Sequence, residues 1–343
     1  MKLDKLIKYR SVWMALAIMW VVVFHSMMIM PNSILEFIKQ IGYGGVDIFI
    51  FASGLGCYYS LSKDSNINKF LKRRFDKLMP TFWCFLVVFI LYKKLHEGIG
   101  ITAIIGNILC IQSFTLKGDS FNWYICCIWL FYFLAPYIYF HTKNIKTKFS
   151  VIMYILFLLL FSISFINCHD LIIMMTRLPL FFMGMYCAKL SKIRNYKLSK
   201  TSIILSIISM IIGLIILKYC YVNYYNYLWN YGLHWYPFIL IVPGLCTSIS
   251  LLCLLIDDKK IGKNIIKFLN VIGNNTFEVY LVHIFIFGIV KTKIINGTLV
   301  NSNRLWFKCI ILVIISSILL KYVTKLVVFI FDKTNSLVKN KLK

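Results

Sequence analysis

The sequence predicts an all-α fold, a polytopic bundle of about ten transmembrane helices with one further interfacial or re-entrant segment. Three observations indicate this. Of the 343 residues, 60% are hydrophobic, and the mean hydropathy of +0.79 is too high for a soluble globular domain. The apolar residues form continuous runs of helical length, not the alternating pattern of a transmembrane β-barrel. The basic residues crowd into the segments between those runs.

Ten of the apolar runs are long enough to be read as membrane spans, since a helix needs about 20 apolar residues to cross a hydrocarbon core of about 30 Å. They cover residues 12–30, 43–62, 80–95, 121–140, 149–167, 172–190, 200–219, 236–256, 277–297 and 304–331. An eleventh run, 99–116, contains Asn107 and Gln112 and is predicted to be interfacial or re-entrant.

The distribution of lysine and arginine supports this layout and predicts its orientation. With the N-terminus assigned to the cytoplasm, 26 of the 38 basic residues fall in the cytoplasmic segments and 8 in the opposite ones. This positive-inside bias predicts that both termini are cytoplasmic. It also accounts for the net charge of +26, so nucleic acid is not expected to be a partner. The expected partners are membrane lipids. No cleavage site follows the first apolar run, which predicts a retained helix.

The chain is predicted to be one integral-membrane domain, residues 1–343, with no appended soluble domain. The largest outer segments, 96–120 and 218–235, are too short to fold alone, so any chemistry is expected within or at the surface of the bundle. The eleven cysteines lie mostly in apolar runs and lack metal-ligand spacing. They are read as small hydrophobic residues, with no disulfide framework and no metal site.

An ionisable residue within a membrane span is costly and marks a functional candidate. His25 lies five residues before the end of the first predicted span, Asp47 four residues into the second and Arg177 five residues into the sixth. A rise of about 1.5 Å per residue places all three near one depth. They could share a pocket in which Asp47 orients His25 as a general base. The alternative is a structural ion pair of Asp47 with Arg177.

Two further groups of residues are candidates for binding. The segment 69–80 is densely basic and contains Arg73, Arg74 and Lys77, which suit a phosphate-rich cytosolic ligand or anionic lipid headgroups as well as the positive-inside bias. The ninth predicted span begins with Glu278, Tyr280 and His283, which are assigned to its cytoplasmic half. Tyr280 and His283 are three residues apart and share one helix face.

Aromatic residues give a weaker signal. Trp123 lies near the start of the fourth span, where an interface anchor is the usual reading and a ligand platform the alternative. A set of aromatic residues near 218–235 could stack on sugar rings or anchor the interface. These residues are Tyr221, Tyr224, Tyr225, Tyr227, Trp229, Tyr231 and Trp235.

In their order along the chain, six stretches resemble the integral-membrane acyltransferase 3 family. They are ALAIMWVVVFHS, GYGGVDIFIFASGLGCYYSL, FLKRRFDKLMP, NWYICCIWLFYFLAP, RLPLFFMGMYCA and NNTFEVYLVHIFIF, and together they reach from the first predicted span to the ninth. The family carries an arginine eleven residues before the histidine of the first stretch. In this chain that position is Met14, and the sequence leaves open whether Arg10 replaces the arginine.

The resemblance implies a bacterial O-acetyltransferase of the cell membrane. It implies that acyl-CoA, usually acetyl-CoA, acts as co-substrate and that no cofactor is bound permanently. The acyl group would pass to a hydroxyl of an extracytoplasmic or lipid-linked glycan of the cell envelope. His25 would be the catalytic residue, and Arg73, Arg74 and Lys77 would bind the CoA phosphates.

Two other functions remain open at this level. A proton-coupled transporter or flippase of a sugar would also use buried His, Asp, Arg and Glu, although no internal repeat supports it. A non-catalytic scaffold of a polysaccharide-synthesis complex is the third reading. The sequence indicates neither the acceptor glycan nor the oligomeric state.

Overall fold

The computed structural model describes residues 1–111, 123–193 and 196–341. These ranges contain α-helices and one short 3₁₀ turn, Gly42–Gly44, and no β-strand. The all-α prediction is therefore confirmed for the described ranges.

Fifteen α-helices follow one another along these ranges. They are α1 (Leu3–Ile7), α2 (Arg10–His25), α3 (Ser33–Gln40), α4 (Gly45–Lys63), α5 (Ile67–His96), α6 (Ile101–Ile108), α7 (Trp123–Asn144), α8 (Lys148–Ile163), α9 (His169–Met175), α10 (Leu178–Lys192), α11 (Lys200–Asn230), α12 (Phe238–Ile256), α13 (Lys260–Gly273), α14 (Thr276–Ile295) and α15 (Asn303–Lys341).

Six helical segments in the described ranges are long and apolar enough to cross a membrane. They are Ile67–His96, Trp123–Asn144, Leu171–Lys192, Lys200–Tyr224, Phe238–Ile256 and Asn303–Thr334. A seventh is reached if α3 and the helix that follows it, bent by 43°, form one broken span. The protein is thus a multi-pass membrane protein, and the predicted count of ten spans is not confirmed.

The remaining predicted spans are helical, but they are short or charged. Helices α2 and α8 each have 16 residues, and α14 carries Glu278, Lys291 and Lys293. The eleventh predicted segment contains α6, whose eight residues extend over only about 12 Å. Its residues from 112 onward lie outside the described residues.

Three helix boundaries differ from the prediction in ways that matter for the site. Helix α2 ends at His25, and the chain runs on in extended conformation from Ser26. The basic segment between the second and third predicted spans is the first part of α5, and Pro80 lies inside that helix. Helix α13 lies between the eighth and ninth predicted spans, in a segment whose apolar residues are too few and too dispersed to predict a span.

Contacts between distant segments identify one end of the bundle. The N-terminal ammonium donates to the carbonyl oxygen of Leu198 at 2.9 Å, and Lys8 pairs with Asp257 at 2.8 Å. Gly273 lies so close to α2 that an added Cβ would be 1.9 Å from the carbonyl oxygen of Ser11. All these segments were assigned to the cytoplasm in the sequence, so their meeting agrees with the predicted alternation of the loops.

The opposite end is formed by the segments after α2 and before α15. The backbone N–H of Ile29 donates to Asn303 Oδ1 at 2.8 Å, and Asn303 Nδ2 donates back to the carbonyl oxygen of Ile29 at 2.9 Å. Phe37 packs edge-on against Tyr221, with ring centroids 5.9 Å apart. Helices α2 and α14 therefore connect the two ends, although each is short or charged for a membrane span.

Candidate active site

His25 is the last residue of α2 and is half-buried. Its Nδ1 lies 2.9 Å from the carbonyl oxygen of Val21, one helical turn earlier. Because a carbonyl oxygen can only accept, Nδ1 must carry the proton in this bond, and Nε2 then holds a lone pair. None of the described residues hydrogen-bonds to Nε2. The backbone of α2 thus presents His25 as a neutral imidazole whose free nitrogen can act as a base.

A second imidazole lies against the first. His283 on α14 is fully buried, and its Nε2 is 3.4 Å from the Nδ1 of His25, with ring centroids 5.1 Å apart. Its own Nδ1 lies 3.0 Å from the carbonyl oxygen of Val279. The sequence had assigned His283 to the cytoplasmic half and His25 to the outer half. They meet because α2 and α14 pack against each other, which a count of residues from the predicted span ends does not show.

The segment that follows His25 is held by the loop before α15. Asn301 Nδ2 donates to the carbonyl oxygen of Met27 at 3.3 Å, and Trp306 Nε1 donates to Asn301 Oδ1 at 2.8 Å. Since Asn303 also bonds to the backbone of Ile29, two asparagines fix the extended chain immediately after the histidine. The chain that leaves the C-terminal end of α2 is therefore anchored to the segment before α15.

A cavity of about 280 Å³ opens near the other end of α2 and reaches the start of α14. We refer to it as the cationic cavity, because three of its described lining residues are basic. The lining consists of Arg10, Ser11, Met14, Phe49, Ser53, Arg74, Lys77, Leu78, Tyr124, Ile128, Tyr132, Gly273, Asn274, Thr276, Phe277, Glu278 and Tyr280.

The arginines that line the cationic cavity have hydrogen-bond donors without a partner. Arg74 donates from Nη2 to the carbonyl oxygen of Gly56 at 2.7 Å, and its guanidinium lies 5.2 Å from the Phe70 ring centroid and 5.3 Å from that of Tyr132. The Nε atoms of Arg74 and Arg10 are buried without a hydrogen-bond partner. Within the described residues, neither arginine is paired with a carboxylate, so the cavity favours an anion.

Arg73, next to Arg74 in sequence, does not line the cationic cavity. Its Nη1 pairs with Asp64 at 3.4 Å, and the two side chains are 42% and 36% exposed to solvent. The backbone N–H of Asn66 donates to the same carboxylate and holds the pKa of Asp64 below its ordinary value. Helical geometry is the reason for the separation, since consecutive residues point about 100° apart around the axis.

Arg10 takes a place in the cavity that the sequence had left open. A Cβ added to Gly56 would lie 3.3 Å from Arg10 Nη2, so this glycine leaves room for the guanidinium. The residue before it is also fixed, because Tyr9 donates its hydroxyl to Asp257 at 2.7 Å. Lys8 pairs with the same carboxylate, and these two donors keep the pKa of Asp257 below its ordinary value.

Tyr280 links the cationic cavity to the histidines. It lines the cavity, and its ring centroid lies 5.5 Å from that of His283, one turn later on α14. Tyr124 on α7, another lining residue, packs edge-on against Tyr280 at 4.9 Å. Among the lining residues that the structure describes, Glu278 is the one carboxylate. The sequence-predicted group Glu278, Tyr280 and His283 thus spans the distance from the bases to His25.

Asp47 and Arg177 form an ion pair, which is one of the two alternatives that the sequence leaves open. Arg177 Nε lies 3.3 Å from Asp47 Oδ1, and both side chains are buried. The guanidinium sits between two indoles, 4.8 Å from the centroid of Trp123 and 5.1 Å from that of Trp235. His25 is not part of this group, and the Val21 carbonyl occupies the position next to its ring that was predicted for Asp47.

Sequence reasoning missed Tyr124 and did not decide on Arg10. The signal for Arg10 was its position one turn before Met14, whereas nothing in the sequence separated Tyr124 from the other aromatic residues. Among the predicted sugar-stacking aromatics, Tyr225, Tyr227 and Trp229 have side chains outside the described residues. Trp235 packs on Arg177 instead.

Comparison with known proteins gives a family match. No curated protein and no solved structure matches the chain. The family model Acyl_transf_3, described as an acyltransferase domain, matches residues 13–322, which is nearly the whole chain. The match includes both histidines and the buried Asp47–Arg177 pair, and it begins just after Arg10. The chain therefore belongs to the acyltransferase 3 family of membrane acyltransferases.

Proposed function

We propose that the protein transfers an acyl group, acetyl by preference, from cytosolic acyl-CoA to a hydroxyl of an extracytoplasmic or lipid-linked glycan. The cell membrane of a bacterium is the proposed location, with both termini in the cytoplasm. One observation carries the proposal. The cationic cavity, with three basic residues among its described lining, is linked through Tyr280 and His283 to His25, which has a free ring nitrogen.

The cationic cavity suits the phosphates of the donor. Arg10 and Arg74 offer unused guanidinium donors, and Lys77 adds a charge at the exposed margin. Phosphate oxygens accept from guanidinium groups in bidentate geometry. A volume of about 280 Å³ holds part of a CoA molecule, so the remainder would extend out of the cavity. Arg73 contributes only at long range, since it pairs with Asp64.

His25 then acts as the general base. Its Nε2 takes the proton of the acceptor hydroxyl while the oxygen attacks the thioester carbonyl carbon. The new C–O bond forms, the C–S bond breaks, and the departing sulfur receives the proton from Nε2. The products are an ester and the CoA thiol, and His25 returns to its neutral state. Nucleophilic transfer through an acyl-histidine is the other route that this nitrogen permits.

The acceptor is assigned to the end of the bundle opposite the cationic cavity. His25 lies where α2 gives way to the extended segment at that end, beside the loop containing Asn301. A glycan hydroxyl could approach Nε2 there without entering the cavity. Separate approaches for donor and acceptor suit a reaction that passes an acyl group across the membrane.

The test is alkali-releasable acetate on envelope glycans. We expect cells that lack the gene to lose ester acetate, wild-type protein to restore it, and His25→Ala to fail at matched membrane levels. Restoration of ester acetate by His25→Ala would overturn the assignment of His25 as the base, but not the proposal that the protein is an acyltransferase. A gene deletion without any change in ester acetate would instead favour transport of the glycan precursor or a scaffold.

A further inference from the structure

We propose that His283 is a positioning residue for His25: its Nε2 accepts the Nδ1–H of His25, holds the reactive tautomer and stabilises the imidazolium that forms during transfer. The proposal rests on the proposed function, because it assumes that His25 is the base. The sequence predicts Asp47 as the residue that orients His25, and the proposal gives this role to His283.

The hydrogen bonds fix the tautomers of both rings. Each Nδ1 lies within 3.0 Å of a carbonyl oxygen of its own helix, Val21 for His25 and Val279 for His283. Both Nδ1 atoms therefore carry protons when the rings are neutral, and both Nε2 atoms carry lone pairs. The lone pair of His283 Nε2 lies 3.4 Å from the Nδ1 of His25, so it is a second acceptor for that proton.

Packing holds His283 where it can do this. The side chain has no exposed surface, and its ring lies 5.5 Å from Tyr280 and 6.0 Å from Phe287, measured between centroids. Phe287 in turn packs edge-on against the buried Trp306 at 5.0 Å. The same Trp306 bonds to Asn301, which anchors the chain after His25. One packed cluster thus determines the positions of both imidazoles.

The two acceptors on Nδ1 matter most when His25 is charged. Taking the hydroxyl proton at Nε2 leaves both nitrogens of His25 protonated, and the positive charge strengthens the bonds from Nδ1–H to Val21 and His283. No proton needs to leave Nδ1 for the reaction to balance, since Nε2 returns its proton to the sulfur. His283 acts through hydrogen bonding in a site of low dielectric, where such a bond has a large effect.

Neither Asp47 nor Glu278 can serve instead. Asp47 is engaged by Arg177, and it forms no contact with His25 within the described residues. Glu278 lies toward the cationic cavity, on the far side of Tyr280 from the histidines. Among the described side chains, His283 is the one whose ring nitrogen faces the Nδ1 of His25.

The experiment compares His283→Phe and His283→Gln in membrane vesicles that contain the endogenous acceptor, with radiolabelled acetyl-CoA as the probe. Phenylalanine fills the site without an acceptor, whereas the glutamine amide oxygen reaches the place of Nε2. We expect His283→Phe to lower the maximal rate per protein roughly 100-fold with an unchanged KM for acetyl-CoA. We expect His283→Gln to be at least about tenfold faster than His283→Phe.

His141→Phe is the matched control, since it makes the same substitution at an exposed histidine on α7 outside the site, and its rate should stay within about twofold of wild type. His283→Asn, whose amide is too short to reach His25, replaces His283→Phe if that variant fails to accumulate. Equal rates for His283→Gln and His283→Phe, or for His283→Gln and His283→Asn where it replaces the phenylalanine variant, would overturn the proposal. His25→Ala is measured alongside. Its full activity would refute the proposed base, whereas an inactive His25→Ala with an active His283→Phe would refute only the role of His283.

Discussion

At the scale of single residues, position in the fold separates side chains that look equivalent in sequence. Arg73 and Arg74 are neighbours in a basic motif, yet one pairs with Asp64 in solvent and the other lines the cationic cavity. Both were predicted to bind the donor phosphates. Arg10 carries the same chemistry from a different helix, outside the range that the family model matches.

We therefore expect Arg74→Gln and Arg10→Gln to raise the KM for acetyl-CoA roughly tenfold or more, because a hydrogen bond to a charged group contributes about 1.5–3 kcal/mol. Arg73→Gln is the matched control and should change KM by less than about threefold, since an exposed ion pair contributes little. The maximal rate should be nearly unchanged in all three. Initial rates in membrane vesicles at varied acetyl-CoA check this. A larger effect for Arg73→Gln than for Arg74→Gln would contradict the structure.

At the scale of helices, glycines set the spacing of the elements that carry the site. Helices α4 and α10 cross where Gly54 faces the carbonyl oxygen of Phe181 and Gly184 faces that of Phe51. An added Cβ would lie 2.1 Å from the carbonyl oxygen in both places. Small residues allow such close approach of membrane helices. The sequence showed the glycine run that opens α4, but not the partner helix.

We expect Gly54→Ala and Gly184→Ala each to destabilise the protein by about 1–3 kcal/mol, because the backbones must separate to admit the methyl group. Gly288→Ala is the control, since no atom of a neighbouring element lies within 4 Å of its added Cβ. Thermal unfolding in detergent, followed by the loss of monodisperse protein, measures the effect. Equal stability of the Gly54 and Gly288 variants would show that the helices do not cross this closely.

Helix ends also decide what the site can do. The apolar run continues to Met30, but α2 stops at His25, whose Nδ1 bonds back to the Val21 carbonyl. This histidine bonds within the last turn of its helix, and the following segment is tied by Asn301 and Asn303. Hydropathy could not locate this boundary, because Met27–Met30 are as apolar as the helix itself.

At the scale of the whole molecule, the contacts sort the connecting segments into two ends. The N-terminus, Leu198, Asp257 and Gly273 meet at one, and the segments near Ile29 and Asn303 meet at the other. The cationic cavity lies toward the first end and His25 toward the second. A donor entering from one end and an acceptor from the other would meet at the paired histidines.

Reporter fusions test the predicted orientation of these ends. We expect alkaline phosphatase to be active when fused after Gly98 or Gly297 and inactive after Asp64 or Lys259, because the phosphatase folds only outside the cytoplasm. The opposite pattern is expected for green fluorescent protein. Immunoblots provide the control for fusion levels. Phosphatase activity after Asp64 would reverse the orientation and would place the cationic cavity away from cytosolic acyl-CoA.

The sequence by itself determined the class of protein, its helical segments and the residues worth testing. Hydrophobic runs and the bias of the basic residues follow from the cost of burying charge in lipid, which depends on composition along the chain. They predicted the helices, and the ordered motifs pointed to the family. They did not determine how many helices are long enough to span, because hydropathy does not locate the residue at which a helix ends, and α2 and α8 stop after 16 residues.

Only the tertiary structure decided which side chains meet. Depth counted along the chain grouped His25 with Asp47 and Arg177. In the packed bundle His25 instead lies against His283, and Asp47 forms an ion pair with Arg177. Rise per residue gives depth only for straight helices with known ends, and it carries no information about which faces are turned together. Contacts between α2 and α14 depend on tilt, rotation and the place where each helix ends. These are properties of the packed bundle and not of any one segment.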